Sequence, residues 1–330
     1  MTDNYQKNKY LSKKIKPFDP REVKNVDDLL SALKYCGFQG RNLGKALDIL
    51  EKMVLDDDCL TVLTLSGAMV PAGMGELICV LMEYNLIDVL VTTGANIIHD
   101  LVDGVNDIGH YLGSSDVDDG ELFRFRINRI YDVFLPEENY LTTEKELLLK
   151  IKELFPEKKV FITPSKLFAK LGEKLDYRCI LSIAAKKKIP IFVPAFSDSE
   201  FALDLYVFNK QEGFDFQFDI LKEIETFGDC IRKAKKTGTV IIGGGVPRNW
   251  AQQIFPLLDQ LEQLETIGYD YSVRIHTAIE YDGGLSGCTV TESKSWGKYT
   301  LDSKSVSVWC DATIALPILI TGLLQRLELI

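Results

Sequence analysis

Histidine is scarce in this chain, with three in 330 residues, so a metal centre built from several imidazoles is not expected. The seven cysteines, at positions 36, 59, 79, 179, 230, 288 and 310, include no Cys-x-x-Cys pair. They are odd in number and sit mostly in apolar runs such as Ile78-Cys79-Val80 and Trp309-Cys310. They read as reduced, packed thiols rather than disulfides or zinc ligands. No stretch reaches the roughly 20 uninterrupted apolar residues of a membrane span. The longest candidate, Ala312 to Leu324, contains Pro317 and Gly322 and reads as a buried helix. The first residues, rich in Asn and Lys from Asp3 to Lys16, lack an apolar signal core. A soluble cytoplasmic protein without membrane contact is the expectation. Positive charge is in deficit too, 38 Lys and Arg against 48 Asp and Glu for a net −10. That balance disfavours nucleic acid as a partner and is compatible with a cationic substrate, which a negative field concentrates.

What the chain does have is an alternation. Leu60 to Leu65 is a short apolar strand breaking at Ser66-Gly67, Gly73 to Tyr84 reads as a helix, and Leu86 to Val91 is a second strand ending in Thr92-Thr93-Gly94. Pro190 to Val193, Thr239 to Ile242 before Gly243-Gly244-Gly245, and Tyr271 to Ile275 before Thr277-Ala278 repeat the theme. Strand, small-residue turn and helix in repetition imply an α/β fold, a Rossmann-like parallel sheet with helices on both faces. Small residues at the strand ends mark where a nucleotide can approach the backbone. Ahead of this region, Leu29, Leu30, Leu33 and then Leu43, Ala46, Leu47, Leu50 recur at helical spacing around a break at Gly37–Gly40. The expected organisation is an N-terminal arm with helices over 1–58 and a single large nucleotide-binding domain over 59–330. Asp103 to Asp119, acidic and glycine-containing, is expected to be a loop.

The richest chemistry lies near the C-terminus. Asp282-Gly283-Gly284-Leu285-Ser286-Gly287-Cys288 is followed closely by Glu292, Ser293, Lys294, Ser295, Trp296, Gly297 and Lys298. Glycines let backbone approach a ligand, and two carboxylates, an indole and lysines stand beside them. A lysine does covalent chemistry only when its amine is neutral, and an aromatic wall such as Trp296 favours that by desolvation. The plain alternative is a solvated surface lysine.

The Ser295-Trp296-Gly297-Lys298 run resembles the deoxyhypusine synthase family, particularly its bacterial and archaeal branches. The resemblance extends through Gly37-Phe38-Gln39 with Asn42 and Gly44, Thr92-Thr93, Ile127-Asn128-Arg129-Ile130, Thr163-Pro164-Ser165-Lys166, Gly243-Gly244-Gly245-Val246 and Asp311-Ala312. It implies that Lys298 forms an imine with a 4-aminobutyl group and that the cofactor is NAD. By that match Thr92, Thr93, Asp198, Gly243, Gly244, Thr277, Ala278, Asp311 and Ala312 contact the cofactor. Asp282, Asp204 and Asn249 fall on the substrate side, and Glu292 and Trp296 join Lys298; Glu292 and His276 are candidates for proton transfer, the plain alternative for His276, amid Arg274-Ile275 and Thr277, being a packed strand residue. A homotetramer built of tight dimers, a polyamine substrate and a translation-factor lysine as one acceptor are also implied.

The chain departs from the better-known members in several places. Ile98 and His99 replace two glutamates, and Leu285 replaces an amine-binding aspartate. Asn249 stands where a histidine handles the substrate's proton, and a carboxamide cannot titrate near neutrality. These departures point to altered substrate choice. Three readings stay open: polyamine aminobutyl transfer, to a protein lysine or to a small diamine giving homospermidine-like products; an NAD-dependent amine dehydrogenase; and an NAD-binding protein without turnover.

Overall fold

The structure, a computed structural model, describes residues 10–105, 108–263 and 268–330. Its strands are β1 Cys59–Leu65, β2 Val89–Thr92, β3 Tyr111–Leu112, β4 Ile127–Ile130, β5 Val133–Pro136, β6 Lys159–Ile162, β7 Ile191–Phe192, β8 Asp215–Phe218, β9 Lys236–Ile242, β10 Tyr269–His276 and β11 Tyr299–Trp309. Six of them form one sheet in the order β11-β10-β9-β1-β2-β7, every pairing parallel. Parallel strands need crossovers that cover both faces, so β1 and β2 are apolar apart from threonine, while β10 carries Asp270, Ser272, Arg274 and His276 between its apolar residues.

Alternation along β1 and β2 divides the core. Leu63, Leu65 and Leu90 face helices Phe38–Val54, Gly75–Glu83, Ile180–Lys187 and Ala312–Arg326. Val62, Val89 and Val91 face the other way, onto Phe227, Ile231, Ala251, Phe255 and Leu258 of helices Ile220–Lys233 and Gly245–Glu262. Helices therefore lie on both faces, as the pattern implied. The N-terminal helices Val26–Leu33 and Phe38–Val54 contribute Leu30, Ala46, Leu47, Leu50 and Met53 to the first of these clusters. Arg326, at the end of the last long helix, ties them down by bonding Asp27 (2.8 Å) and Asp48 (3.1 Å).

The structure differs from the sequence reading in a few elements. Gly40 lies inside the helix Phe38–Val54 instead of in the break, which is confined to the turn before Phe38. The expected loop over Asp103–Asp119 contains β3, which pairs with β5 and so joins the hairpin β4–β5 in a small antiparallel sheet. The last strand, β11, had no apolar signature because it is a half-exposed sheet edge in which Asp302, Ser303, Lys304, Ser305 and Ser307 outnumber Val306 and Val308. Among the described residues, no helix is long and apolar enough to cross a membrane.

Gly44 is where the two N-terminal helices come closest. A Cβ built there would stand 2.5 Å from the Leu30 carbonyl oxygen and 2.7 Å from the Lys34 nitrogen, both backbone atoms with little room to yield. Gly44→Ala is expected to lower unfolding stability by about 1–3 kcal/mol through overpacking. A denaturant midpoint equal to that of the parent chain would refute this packing.

Candidate active site

The strand order reverses between β1 and β9, since the chain builds outward from β1 to β2 and β7 before returning to add β9, β10 and β11 on the other side. In open parallel sheets such a reversal leaves a crevice beyond the strand C-termini. Ser66, just after β1, spans it: its hydroxyl donates to the Gly244 carbonyl at 2.5 Å. Gly243 (φ 77°) and Gly245 (φ 61°) hold left-handed conformations that strain any residue with a Cβ. Nothing lies within 4 Å of a Cβ built on Gly245. The helix Gly245–Glu262 starts there with no side-chain cap, so its first amides face that open space.

The glycine-rich loop after β10 closes over this corner. Gly287 has no room for a side chain, because a Cβ would fall 1.8 Å from the Ile279 carbonyl oxygen. Gly244 abuts Ser286 of the same loop. Two buried arginines hold the loop by its carbonyls. Arg274 donates to Cys288 O at 2.7 Å, to Gly243 O at 3.2 Å and to Ser286 O. Arg248 donates to Leu285 O at 3.2 Å and Cys288 O at 3.3 Å. Arg274 is 3 % and Arg248 7 % exposed, and neither forms an ion pair among the described residues. Burial, then the neighbouring Arg248 charge, pushes the Arg274 guanidinium down to about 10. Neither arginine was singled out from the sequence. The available signal was a charged residue inside the apolar run Val273-Arg274-Ile275 of a buried strand.

Lys298 stands beside this pair of uncompensated cations. It is half-buried at the head of β11, and its Nζ donates to Asn249 Oδ1 at 3.0 Å, with the Trp296 ring centroid 5.9 Å away. Burial first, and the Arg248 charge second, hold its amine below the usual lysine value. Gly297 turns the chain at φ 69° between the indole and the lysine. Trp296 itself is 64 % exposed, and Glu292 is exposed. Glu292 affects Lys298 only through its charge, which favours the protonated amine. Asn249 is therefore the group that contacts the lysine head directly, and a carboxamide cannot neutralise an ammonium as a carboxylate would.

His276 ends β10 at 4 % exposure. Burial and the charges of Arg274 and Arg248 push it down to about 4, so it is neutral. Neither of its ring nitrogens has a well-aligned partner, and its ring packs against Trp309 at 5.0 Å between centroids. Thr92, Gly243, Gly244, Thr277, Ala278, Asp311 and Ala312 all lie at or just beyond the C-terminal ends of β2, β9, β10 and β11, along one edge of the sheet. Thr93 and Asp311 serve as helix N-caps, bonding Asn96 N (3.4 Å) and Thr313 N (2.8 Å). Asp198 follows β7 and is exposed, while its neighbour Ser199 presses on Gly94.

Two expected substrate residues stand apart from Lys298 in the single chain. Asp282 is exposed on its loop. Asp204 is buried on the helix Glu200–Gln211 beyond β7, at the opposite edge of the sheet from β11. Strand spacing alone separates those edges by roughly 24 Å. Burial, then the Glu144 and Glu200 charges, raises the Asp204 carboxyl to about 8.

The charge on Arg248 is therefore one of the two causes that hold the Lys298 amine below the usual lysine value. Replacing it in Arg248→Met is expected to move the pH midpoint of Lys298 acylation upward, toward 10.5. Peptide mass spectrometry after brief acylation across the alkaline range reads this directly. An unmoved midpoint would remove Arg248 from the account.

The geometry can be set against known proteins. The family model described as deoxyhypusine synthase matches residues 28–323. "Probable deoxyhypusine synthase 1" of Archaeoglobus fulgidus is 41% identical over 302 residues, covering 91% of this chain and 94% of that protein. The "Deoxyhypusine synthase-like protein" of Chlorobaculum parvum is 32% identical over 302 residues, 89% of this chain and 85% of its own. Among solved structures, one from Entamoeba histolytica named for the same family superposes with a TM-score of 0.62 at 22% identity, covering 93% of this chain and 96% of that one. The ternary complex of AgrE with ornithine and NAD+ shares the fold at a TM-score of 0.54 and 14% identity, over 89% of this chain and 34% of that one. On the length and identity of these matches the chain belongs to the deoxyhypusine synthase family, a family of aminobutyl transferases.

Proposed function

We propose that this protein moves a 4-aminobutyl group from a polyamine of the spermidine or putrescine type, through an imine on Lys298, to an acceptor amine. The acceptor is a protein lysine, as on a translation factor, or a small diamine. The observation that carries this reading is the half-buried Lys298 amine, bonded to a neutral carboxamide and depressed by its surroundings.

The residues present fit NAD at the strand ends. Gly245 leaves open space beside the turn, where Gly243 already meets Ser66, and the uncapped first turn of Gly245–Glu262 supplies amide donors for an anion. Thr92, Thr93, Asp198, Thr277, Ala278, Asp311 and Ala312 would line the rest. When bound, NAD supplies a two-electron acceptor that takes hydride from the carbon beside the donor amine and later returns it. Lys298, as free amine, adds to that oxidised carbon, expels the departing amine and keeps the four-carbon chain as an imine until the acceptor displaces it. Asn249 aims the lysine nitrogen, and Trp296 offers its face to an ammonium, a contact of about 0.5–2 kcal/mol.

Asp204 would hold the donor ammonium that is to be oxidised, and its distance from Lys298 within one chain calls for a second copy. The rim of the Lys298 corner supports that arrangement: Val246, Tyr281, Leu285 and Trp296 are 50%, 88%, 58% and 64% exposed, an apolar surface of the kind a partner subunit covers. A homotetramer assembled from such dimers follows from this reading.

Two outcomes test it. Lys298→Ala is expected to abolish transfer of label from spermidine to any acceptor while NAD still binds. Accumulation of NADH without transferred product by the parent chain would instead favour an amine dehydrogenase, and NAD binding without either product would favour a protein that does not turn over. Because Asp204 holds its proton up to about 8, the folded chain binds more protons than the unfolded one from the ordinary carboxylate range up to that pH. Its contribution to stability is complete in acid and is lost as pH rises through about 8. An ammonium arriving at Asp204 reverses this preference, so polyamine binding near neutrality is expected to release a proton that Asp204→Asn does not release. Calorimetry in buffers of different ionisation heat measures it.

A further inference from the structure

Two of the three histidines lie outside the Lys298 corner and touch each other. His99, buried on the helix Gly94–Gly104, sits with Nδ1 2.8 Å from Nε2 of His110. His110 Nδ1 is 2.6 Å from Asp103 Oδ1, and the backbone amide of His110 also reaches that carboxylate oxygen, at 3.3 Å. On the other side, the Tyr140 hydroxyl is 3.3 Å from His99 Nε2.

Hydrogen-bond chemistry allows one arrangement of protons when both rings are neutral. The Asp103 carboxylate only accepts, so His110 carries its proton on Nδ1. His110 Nε2 must then accept, so His99 also carries its proton on Nδ1. That leaves His99 Nε2 to accept from the Tyr140 hydroxyl. Every donor in the line has one acceptor, and all point from Tyr140 toward Asp103.

The two ends of this line differ from its middle. The Asp103 side chain is 38% exposed while that of His110 is 7% exposed, and Tyr140 is only half-buried. The groups facing the line are Asp100 on the same helix, Glu144 from the helix of Tyr140, and Glu200 and Asp204 from the packed helix Glu200–Gln211. Burial, then the charges of Glu200 and Asp204, pushes the Tyr140 hydroxyl up to about 12, so it stays protonated. Burial and the His110 charge hold His99 down to about 4, so His99 passes a proton on and does not store it. Asp100, pushed up to about 8 by burial, spends its carboxylate on the Ile180 amide at 2.5 Å and takes no part.

We propose that Tyr140, His99, His110 and Asp103 form a proton relay that takes up the proton a substrate ammonium must lose before its carbon can give up hydride. This rests on the aminobutyl-transfer reading, in which Asp204 beside Tyr140 holds the amine. The relay fills the role left vacant by Asn249. As the ammonium N–H gives its proton to the Tyr140 oxygen, the Tyr140 proton moves to His99 Nε2 and the His99 Nδ1 proton moves to His110 Nε2. The line ends as an imidazolium on His110 paired with the Asp103 carboxylate, and the amine nitrogen is left with its free electron pair. No electrons change owner. The reset is the same set of transfers run backwards when the product amine takes its proton: His110 Nε2 returns a proton to His99 Nδ1, His99 Nε2 returns one to the Tyr140 oxygen, and the Tyr140 proton passes to the amine.

The decisive readout does not need turnover. Nitrogen-15 spectra of the full-length protein at alkaline pH, with His99→Gln and His110→Gln used for assignment, are expected to show each neutral ring with its proton on Nδ1, the minor form of free histidine. A proton on Nε2 of either ring overturns the relay even if transfer activity is present. In the transfer assay, Tyr140→Phe, which keeps the ring in place, and Asp103→Asn are expected to lower kcat about 10–100-fold with the amine KM unchanged. Imidazole added to His110→Gln restores part of the rate. Unchanged kcat in both Tyr140→Phe and Asp103→Asn overturns the proposal. A parent chain that shows the Nδ1 pattern but transfers nothing supports the hydrogen-bonded line and removes the transfer reading on which its use depends.

Discussion

Positive charge without a counter-ion is the constraint on which this corner of the structure depends. Arg274 and Arg248 are buried, and their guanidinium groups bond backbone carbonyls of residues 243–288 instead of carboxylates, with Arg248 Nε left without a partner. Carbonyl acceptors meet the hydrogen-bonding needs of an arginine but leave its charge in place. That residual charge has two effects: it fixes the loop Asp282–Cys288 over the glycine turn, and it disfavours a proton on any base nearby. Lys298 and His276 both feel it. A site built this way lowers the proton affinity of an amine by repulsion as well as by desolvation, as the proposed lysine nucleophile requires.

In the reading proposed above, the same arrangement lets an asparagine stand at position 249. Once burial and Arg248 have lowered the lysine, the neighbouring side chain need only orient it, and the 3.0 Å contact from Nζ to the Asn249 carbonyl oxygen does so. Proton uptake from the substrate is a separate task. The line from Tyr140 to Asp103 is placed to perform it on the far side of the sheet, next to Asp204. Attack and deprotonation would then be the work of opposite sheet edges, brought together when two copies meet.

Much of the fold was legible in the sequence because parallel strands buried on both faces have to be apolar throughout, and the turns after them have to be small. β1, β2, β7 and the end of β9 carry that signature, and β10 keeps it only at alternate positions around Asp270, Ser272, Arg274 and His276. β11 carries no such signature, because an edge strand with one wet face is satisfied by serine and lysine. The Asp282–Lys298 stretch was legible as a site from its glycines and side chains alone. The buried arginines were not, since nothing local distinguishes an arginine that bonds carbonyls from one that snorkels to water. Nor was the His99–His110 contact, which joins residues eleven positions apart, too far to be neighbours within a single helix or strand.

The central claim is that the ε-amine of Lys298 takes the carbon chain. Borohydride added during turnover with isotopically labelled spermidine, followed by peptide mass spectrometry, tests it most directly. The account predicts a reduced aminobutyl adduct on Lys298 and on no other lysine. Product formed by the parent chain with no adduct at Lys298, or an adduct confined to a different lysine, would contradict it.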